Sequence, residues 1–81
     1  RFELPEGETV VGREFGNGLV VASDTVSRRH ASLLRSGNSA SVIDHGSTNG
    51  TWVNGVKVAS NQELRVGDSV RFGSVEYRFE G

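Results

Sequence analysis

Two Asn-Gly pairs, Asn49-Gly50 and Asn54-Gly55, stand five residues apart with only Thr51-Trp52-Val53 between them. Asn-Gly is the strongest short-range hairpin signal, because both residues tolerate the positive φ that tight turns demand. A β-branched and aromatic run trapped between two such turns has room for a short strand and no room for a helix. The same punctuation recurs along the chain. Thr9–Val11 stops at Gly12, Leu19–Val21 follows Gly16-Asn17-Gly18, and His30–Arg35 and Ser39–Asp44 flank Ser36-Gly37-Asn38. Val56–Val58 follows Gly55, Ser69–Phe72 follows Val66-Gly67-Asp68, and Gly73-Ser74 leads into Val75–Phe79. In that last run Val75, Tyr77 and Phe79 fall on one face, and Glu76, Arg78 and Glu80 on the other. Arg1–Leu4 also alternates, before a turn at Pro5-Glu6-Gly7. No segment of helical length carries a 3.6-residue apolar period, so the expected fold is all-β, a two-sheet antiparallel sandwich or a barrel.

With 81 residues the chain is one small domain, spanning 1–81, near the lower limit for folding on its own core. It starts at Arg1 rather than Met, and the expectation is a segment excised from a longer protein. It contains no cysteine, which removes disulfides and thiolate metal sites and is compatible with an intracellular setting, cytoplasmic or nuclear. No apolar run approaches the ~18 residues of a membrane span, and no leader pattern opens the chain. A net charge of −1 lacks the basic excess of a nucleic-acid binder, and aromatic stacking platforms flanked by cations are missing too.

Charge is distributed unevenly, however. Arg13, Ser27, Arg28, Arg29, Thr48 and Asn49 lie in three loops almost free of large apolar residues. Guanidinium groups, hydroxyls and backbone N–H groups held on a rigid scaffold suit a phosphate, with its charge of about −1.5 to −2 and three acceptor oxygens. Competing readings are weaker. Ser27, His30 and Asp44 invite comparison with a hydrolase triad, but on a strand a three-residue spacing sends Ser27 and His30 to opposite faces, and no nucleophile elbow surrounds Ser27. His45 beside Asp44 lacks metal-ligand spacing and reads as a solvated loop residue. Asn49-Gly50-Thr51 has the form of a glycosylation sequon without a secretion signal, and Gly12, Gly16 and Gly18 lack dinucleotide-loop spacing. Trp52 is expected in the core. Gly12, Gly46, Gly50 and Gly55 read as turn residues, and Arg35, Arg65, Arg71 and Arg78 as solvated faces.

Taken in order, Gly12-Arg13, Ser27-x-x-His30, Ser47-Thr48-Asn49-Gly50-Thr51 and Asn54-Gly55 resemble the signature of the forkhead-associated (FHA) domain. Each motif is weak alone; all four in sequence, from about Val10 to about Asp68, are specific. The resemblance implies an eleven-stranded β-sandwich of the FHA/SMAD type that binds phosphothreonine peptides through loops at one end. It implies phosphopeptide contacts from Arg13, Ser27, Arg28, Thr48 and Asn49, with Asn49 clamping the peptide main chain and Thr48 offering its hydroxyl or its N–H. Gly12, His30, Gly50 and Asn54 would support the binding loops.

The expectation is therefore a binding module, not an enzyme, with no cofactor and no metal. Its partners would be phosphothreonine-containing segments, possible within the parent protein itself, with no nucleic acid and no membrane insertion. The isolated domain is expected to be monomeric. The alternative is a phosphate-independent interaction module on the same fold. Selectivity would rest on the loops near Thr25 and Gly73-Ser74, whose small neutral side chains offer no charge to read and suggest a modest aliphatic preference. Glu14 and Asp24 would repel very acidic peptides.

Overall fold

The computed structural model describes residues 3–80. Among these, nine strands form two sheets: β1 (Gly7–Gly12), β2 (Leu19–Val20), β3 (Ala31–Ser36), β4 (Ser39–Asp44), β5 (Thr51–Val53), β6 (Val56–Lys57), β7 (Asn61–Leu64), β8 (Ser69–Phe72) and β9 (Val75–Arg78). The larger sheet has the order β2-β1-β3-β4-β7 and the smaller β6-β5-β8-β9.

Alternation decides which side of each strand meets the core. Val11, Ala31, Leu33, Ala40, Val42 and Leu64 point inward from the large sheet, and Val53, Val70 and Phe72 from the small one. Val26 in the long β2–β3 loop fills the same core, and Leu4, Leu19, Val75, Tyr77 and Phe79 close its edges. Most of these residues are small and β-branched, so the aromatic ring of Phe72 dominates the packing. It is the largest fully buried side chain, edge-on to His30 at 5.8 Å between centroids and tilted against Tyr77 at 6.1 Å.

The sandwich is all-β, as its turn punctuation predicts, but four details differ. The large sheet is mixed: β1 and β2 run parallel, pairing Val11 with Leu19 and Gly12 with Val20. Six connecting residues suffice only because the pairing is two residues long; a full parallel pair needs a longer crossover. Next, β7 is a strand that its sequence, Asn-Gln-Glu-Leu, does not announce. It lies at the sheet edge against β4, where exposed polar side chains are normal and only Leu64 of the strand is buried. Trp52 is not in the core. Thr51 and Val53 occupy the inward positions of β5, so alternation places Trp52 outside. Finally, nine strands rather than eleven are present among the described residues. Arg1 and Phe2 of the alternating N-terminal run lie outside them, Glu3 and Leu4 form no strand, and Gly7 opens β1 rather than closing a turn.

Register carries the loops to one end. Val11 pairs with Ala31 and Ala31 with Asp44, while Thr51 pairs with Phe72. The segments after β1, before β3, after β4, before β5 and after β8 therefore emerge together. The Asn54-Gly55 turn leaves the opposite end of β5, with φ of 51° and 82° as a type I′ hairpin requires. Because Phe72 supports both the core and the His30 ring, Phe72→Ala should cost about 3–5 kcal/mol of folding stability by denaturant unfolding. A loss below ~1 kcal/mol would mean that the ring does not hold this core together.

Candidate functional site

His30 has no exposed surface, and each of its polar atoms has a partner. Its backbone N–H donates to Val11 O at 2.8 Å, and its carbonyl accepts from His45 N. The ring Nδ1 accepts the Ser27 N–H at 3.0 Å. That leaves the ring hydrogen on Nε2, which donates to Gly50 O at 2.8 Å. One side chain thus ties the β2–β3 loop to the β4–β5 loop. Ser27 and His30 lie before β3, so the opposite-face spacing expected of a strand does not apply to them. They share a turn, and the ring braces the Ser27 backbone instead of its hydroxyl.

Around that brace the predicted anion ligands come together. Ser27 Oγ accepts the Thr48 N–H at 3.1 Å, which leaves the Ser27 hydroxyl hydrogen free to donate. Thr48 consequently offers its exposed hydroxyl and not its N–H. Arg13 is fixed twice on the β2–β3 loop, through its N–H to Ser27 O and its Nε to Val26 O, each at 3.0 Å. Its two terminal guanidinium nitrogens have no partner among the described residues. Arg28 follows Ser27 with an exposed side chain that makes no hydrogen bond among the described residues, while its carbonyl accepts from Asn17 Nδ2 and Glu14 N. The surface so formed carries two cations and two donor hydroxyls around the Ser27–Thr48 contact.

The glycines expected to support these loops do so for different reasons. Gly12 is not a turn residue: it ends β1, and a Cβ there would lie 2.0 Å from Arg28 O, so any side chain would push the Arg28 carbonyl away from the strand end that leads into Arg13. Gly50 has a φ of 87°, and its carbonyl accepts from both His30 Nε2 and Gly73 N. Asn54 requires a correction. Its side chain donates to Asp68 Oδ1 and accepts the Ser69 N–H, both at 2.9 Å, so it braces the turn before β8 at the far end of the sandwich and not the loops around Ser27.

Asn49 begins a closed ring of contacts. Its Nδ2 donates to Thr25 O at 2.8 Å, and Thr25 Oγ1 meets both the hydroxyl and the N–H of Ser74. Next in the ring, Arg71 donates to Gly73 O at 2.7 Å and stacks 4.6 Å from the Trp52 ring centroid. Trp52 Nε1 completes it by donating to Asn49 O at 3.3 Å. Trp52 and Arg71, expected as core and as solvated face, instead sit beneath the clamp residue and hold it. Strand alternation is the signal that could have found them, since Trp52 and Arg71 are cross-strand partners on the outer face. With one Nδ2 hydrogen engaged, Asn49 keeps its amide oxygen and its second Nδ2 hydrogen for a ligand.

Asp44 organises the β4–β5 loop. Its carboxylate accepts from Gly46 N, Ser47 N, Ser47 Oγ and Thr51 Oγ1 at 2.6–3.1 Å. Burial alone would raise its pKa, but the hydrogen bonds from Ser47, Thr51 and Gly46 outweigh it and hold the carboxyl below its ordinary value. His45 is exposed, with Nε2 against Ser32 Oγ at 2.7 Å, and Ser32 in turn donates to Glu8.

His30→Ala should lower stability by about 2–4 kcal/mol, because Ser27 N and Gly50 O each lose a buried partner, and binding should fall with it. Asn49→Ala should weaken binding with a nearly unchanged melting temperature. Calorimetric melts paired with titrations distinguish them; a fully stable His30→Ala unable to bind would place His30 in direct contact with the ligand. Asp44 predicts a pH dependence. A carboxyl with a depressed folded pKa contributes stability above its unfolded value, about 3.9, and loses it as pH falls through the folded value. The melting temperature of Asp44→Asn should therefore fall less steeply than wild type below about pH 4, and identical slopes would contradict this.

A family model described as FHA domain matches residues 9–73. The glycogen accumulation regulator GarA of Mycobacterium tuberculosis is 39% identical over 79 residues, which is 98% of this chain and 48% of GarA. An FHA domain solved in a study of phosphothreonine-dependent FHA domain interactions superimposes with a TM-score of 0.87 at 36% identity, covering 93% of this chain and 77% of that one. EmbR of Mycobacterium tuberculosis, in complex with a low-affinity phosphopeptide, reaches a TM-score of 0.87 at 32% identity over 91% of this chain and 20% of EmbR. The chain spans from 9% to 54% of the curated relatives first matched, about half or less of their length. With the family model matching residues 9–73 and the sandwich superimposing over 91–93% of the chain, the chain belongs to the FHA domain family.

Proposed function

We propose that this domain is a phosphothreonine-dependent peptide-binding module, with Arg13, Ser27, Arg28 and Thr48 on the phosphate and Asn49 on the peptide main chain. The observation that carries the reading is the Ser27–Thr48 contact. Because Ser27 Oγ accepts from Thr48 N, both hydroxyls remain donors beside the free guanidinium ends of Arg13 and Arg28. A phosphate dianion has the acceptors for all of them. The similar FHA domains studied for phosphothreonine-dependent interactions and bound to a phosphopeptide support the same ligand class. The role is binding, not catalysis: His30 has both ring nitrogens committed to backbone partners, so it has no capacity left to activate Ser27.

Matched phosphothreonine, phosphoserine and unmodified threonine peptides, taken from a phosphopeptide library screen, test the reading by isothermal titration. Arg13→Ala should lose about 2–5 kcal/mol of binding, the usual cost of truncating a desolvated charge pair. Ser27→Ala should lose ~1.5–3 kcal/mol, one hydrogen bond to a charged group. Affinity should fall as pH drops through the phosphate's second pKa, about 6, because the site offers donors that match the dianion. Phosphothreonine should exceed phosphoserine by at least the ~0.8 kcal/mol of one buried methyl. Equal affinity for modified and unmodified peptides would overturn the reading in favour of a phosphate-independent module.

A further inference from the structure

Lys57 is exposed, and its ammonium makes no hydrogen bond or ion pair among the described residues. It is the cross-strand partner of Trp52, so its side chain rises from the outer face of the small sheet beside that ring. The stem leans toward the end of the sandwich that carries Thr48 and Asn49: a Cβ on Gly50 would lie 3.0 Å from Lys57 Cε and 3.2 Å from Trp52 Nε1. The ammonium itself is 5.9 Å from the Trp52 ring centroid, within cation–π range. Lys57 thus stands beside the Asn49–Gly50 peptide, whose Asn49 carbonyl accepts from the same Trp52. The nearby carboxylates are turned elsewhere. Glu76 lies in the same cross-strand row, beyond Arg71, but accepts from Ser69 at the far end of β8. Asp44 accepts four donors of its own loop, and Asp68 accepts from Asn54 Nδ2 and Arg65 N. Arg71, the other cation against the ring, is engaged with Gly73 O.

We infer that Lys57 is a specificity-determining residue, which pairs with an aspartate or glutamate flanking the phosphothreonine of the ligand. This rests on the phosphothreonine reading proposed above and deepens it. An Asn49 amide bonded to the peptide main chain holds that main chain beside Lys57, whichever way the peptide runs. Successive residues of an extended chain advance only about 3.3 Å, so a carboxylate within a few residues of the anchor falls inside the combined span of two long side chains. Uncompensated positive charge at that place favours an acidic side chain over a neutral or basic one. The Trp52 ring holds the ammonium, so little side-chain freedom is lost on pairing. Glu14 and Asp24 stand exposed on the β1–β2 and β2–β3 loops, where they repel acidic groups. The preference is therefore for one acidic position near β6, not for a peptide acidic throughout.

A phosphothreonine peptide library degenerate on both flanks, with an unphosphorylated library in parallel, tests this on wild type, Lys57→Met and Lys57→Glu. Methionine keeps an unbranched stem over Gly50 and Trp52, and melting temperatures check that both variants fold. Wild type should enrich aspartate or glutamate at one flanking position. Lys57→Met should lose that enrichment, and Lys57→Glu should replace it with lysine or arginine, which a merely structural role would not do. Titration then compares the best peptide with its amide variant, glutamine or asparagine, at the enriched position. That change should cost about fivefold in Kd with wild type at low ionic strength and under about twofold with Lys57→Met, the scale of an exposed charge pair. Phosphate-dependent capture without acidic enrichment, or enrichment that Lys57→Met retains, would overturn the Lys57 assignment alone. Equal capture from both libraries would instead overturn the phosphothreonine reading on which it rests.

Discussion

The His30 imidazole joins two backbone atoms, Ser27 N in a loop within the large sheet and Gly50 O in the loop that crosses from the large sheet to the small one. The ring is fully buried, so removing it would leave Ser27 N without this acceptor and Gly50 O with Gly73 N as its remaining partner. Everything at this end of the sandwich inherits its geometry from that bridge. Ser27 is positioned to accept the Thr48 N–H, and Arg13 hangs from the carbonyls of Val26 and Ser27. Phe72 supports the ring from below, which couples the site to the core. Gly12 and Gly50 make the approach possible, one by leaving room for Arg28 O and the other by turning the chain through positive φ.

A site of this kind gains affinity by being formed before the ligand arrives, since ordering loops on binding would cost conformational entropy. Two separate devices contribute. The Asp44 carboxylate gathers four donors and fixes the loop that carries Thr48 and Asn49. The contacts running through Asn49, Thr25, Ser74, Gly73, Arg71 and Trp52 then fix the side chain placed to meet the peptide main chain. The two differ in exposure, and the exposed ring of contacts is where partner-dependent adjustment would be easiest.

Local chemistry made much of this legible in the sequence. Asn-Gly turns and alternating runs announce strands because φ preference and face alternation act within a few residues. Ser27-x-x-His30 and Ser47–Thr51 mark the loops because of their order along the chain. What escaped depends on tertiary context. The β7 strand has no β-forming residues and exists through its pairing with β4. An aromatic on a strand beside a tight turn usually faces inward, which is the ground for expecting Trp52 in the core, but Thr51 and Val53 take the inward face and alternation turns Trp52 out. The bond from Asn54 reaches Asp68, fourteen residues away, and no local pattern says which end of the sandwich that braces. The parallel pairing of β1 with β2 likewise follows from how the Arg13–Gly18 loop folds back, a property of the Arg28 carbonyl it is tied to.

The most direct test of the account is long-range proton–nitrogen NMR of the His30 ring in the free domain. A single set of resonances with the hydrogen on Nε2 and a bare, accepting Nδ1, unchanged when a phosphothreonine peptide is added, is the predicted result. A ring carrying its hydrogen on Nδ1, or averaging between tautomers until ligand binds, would contradict it. The Ser27 and Gly50 loops would then not be joined in advance.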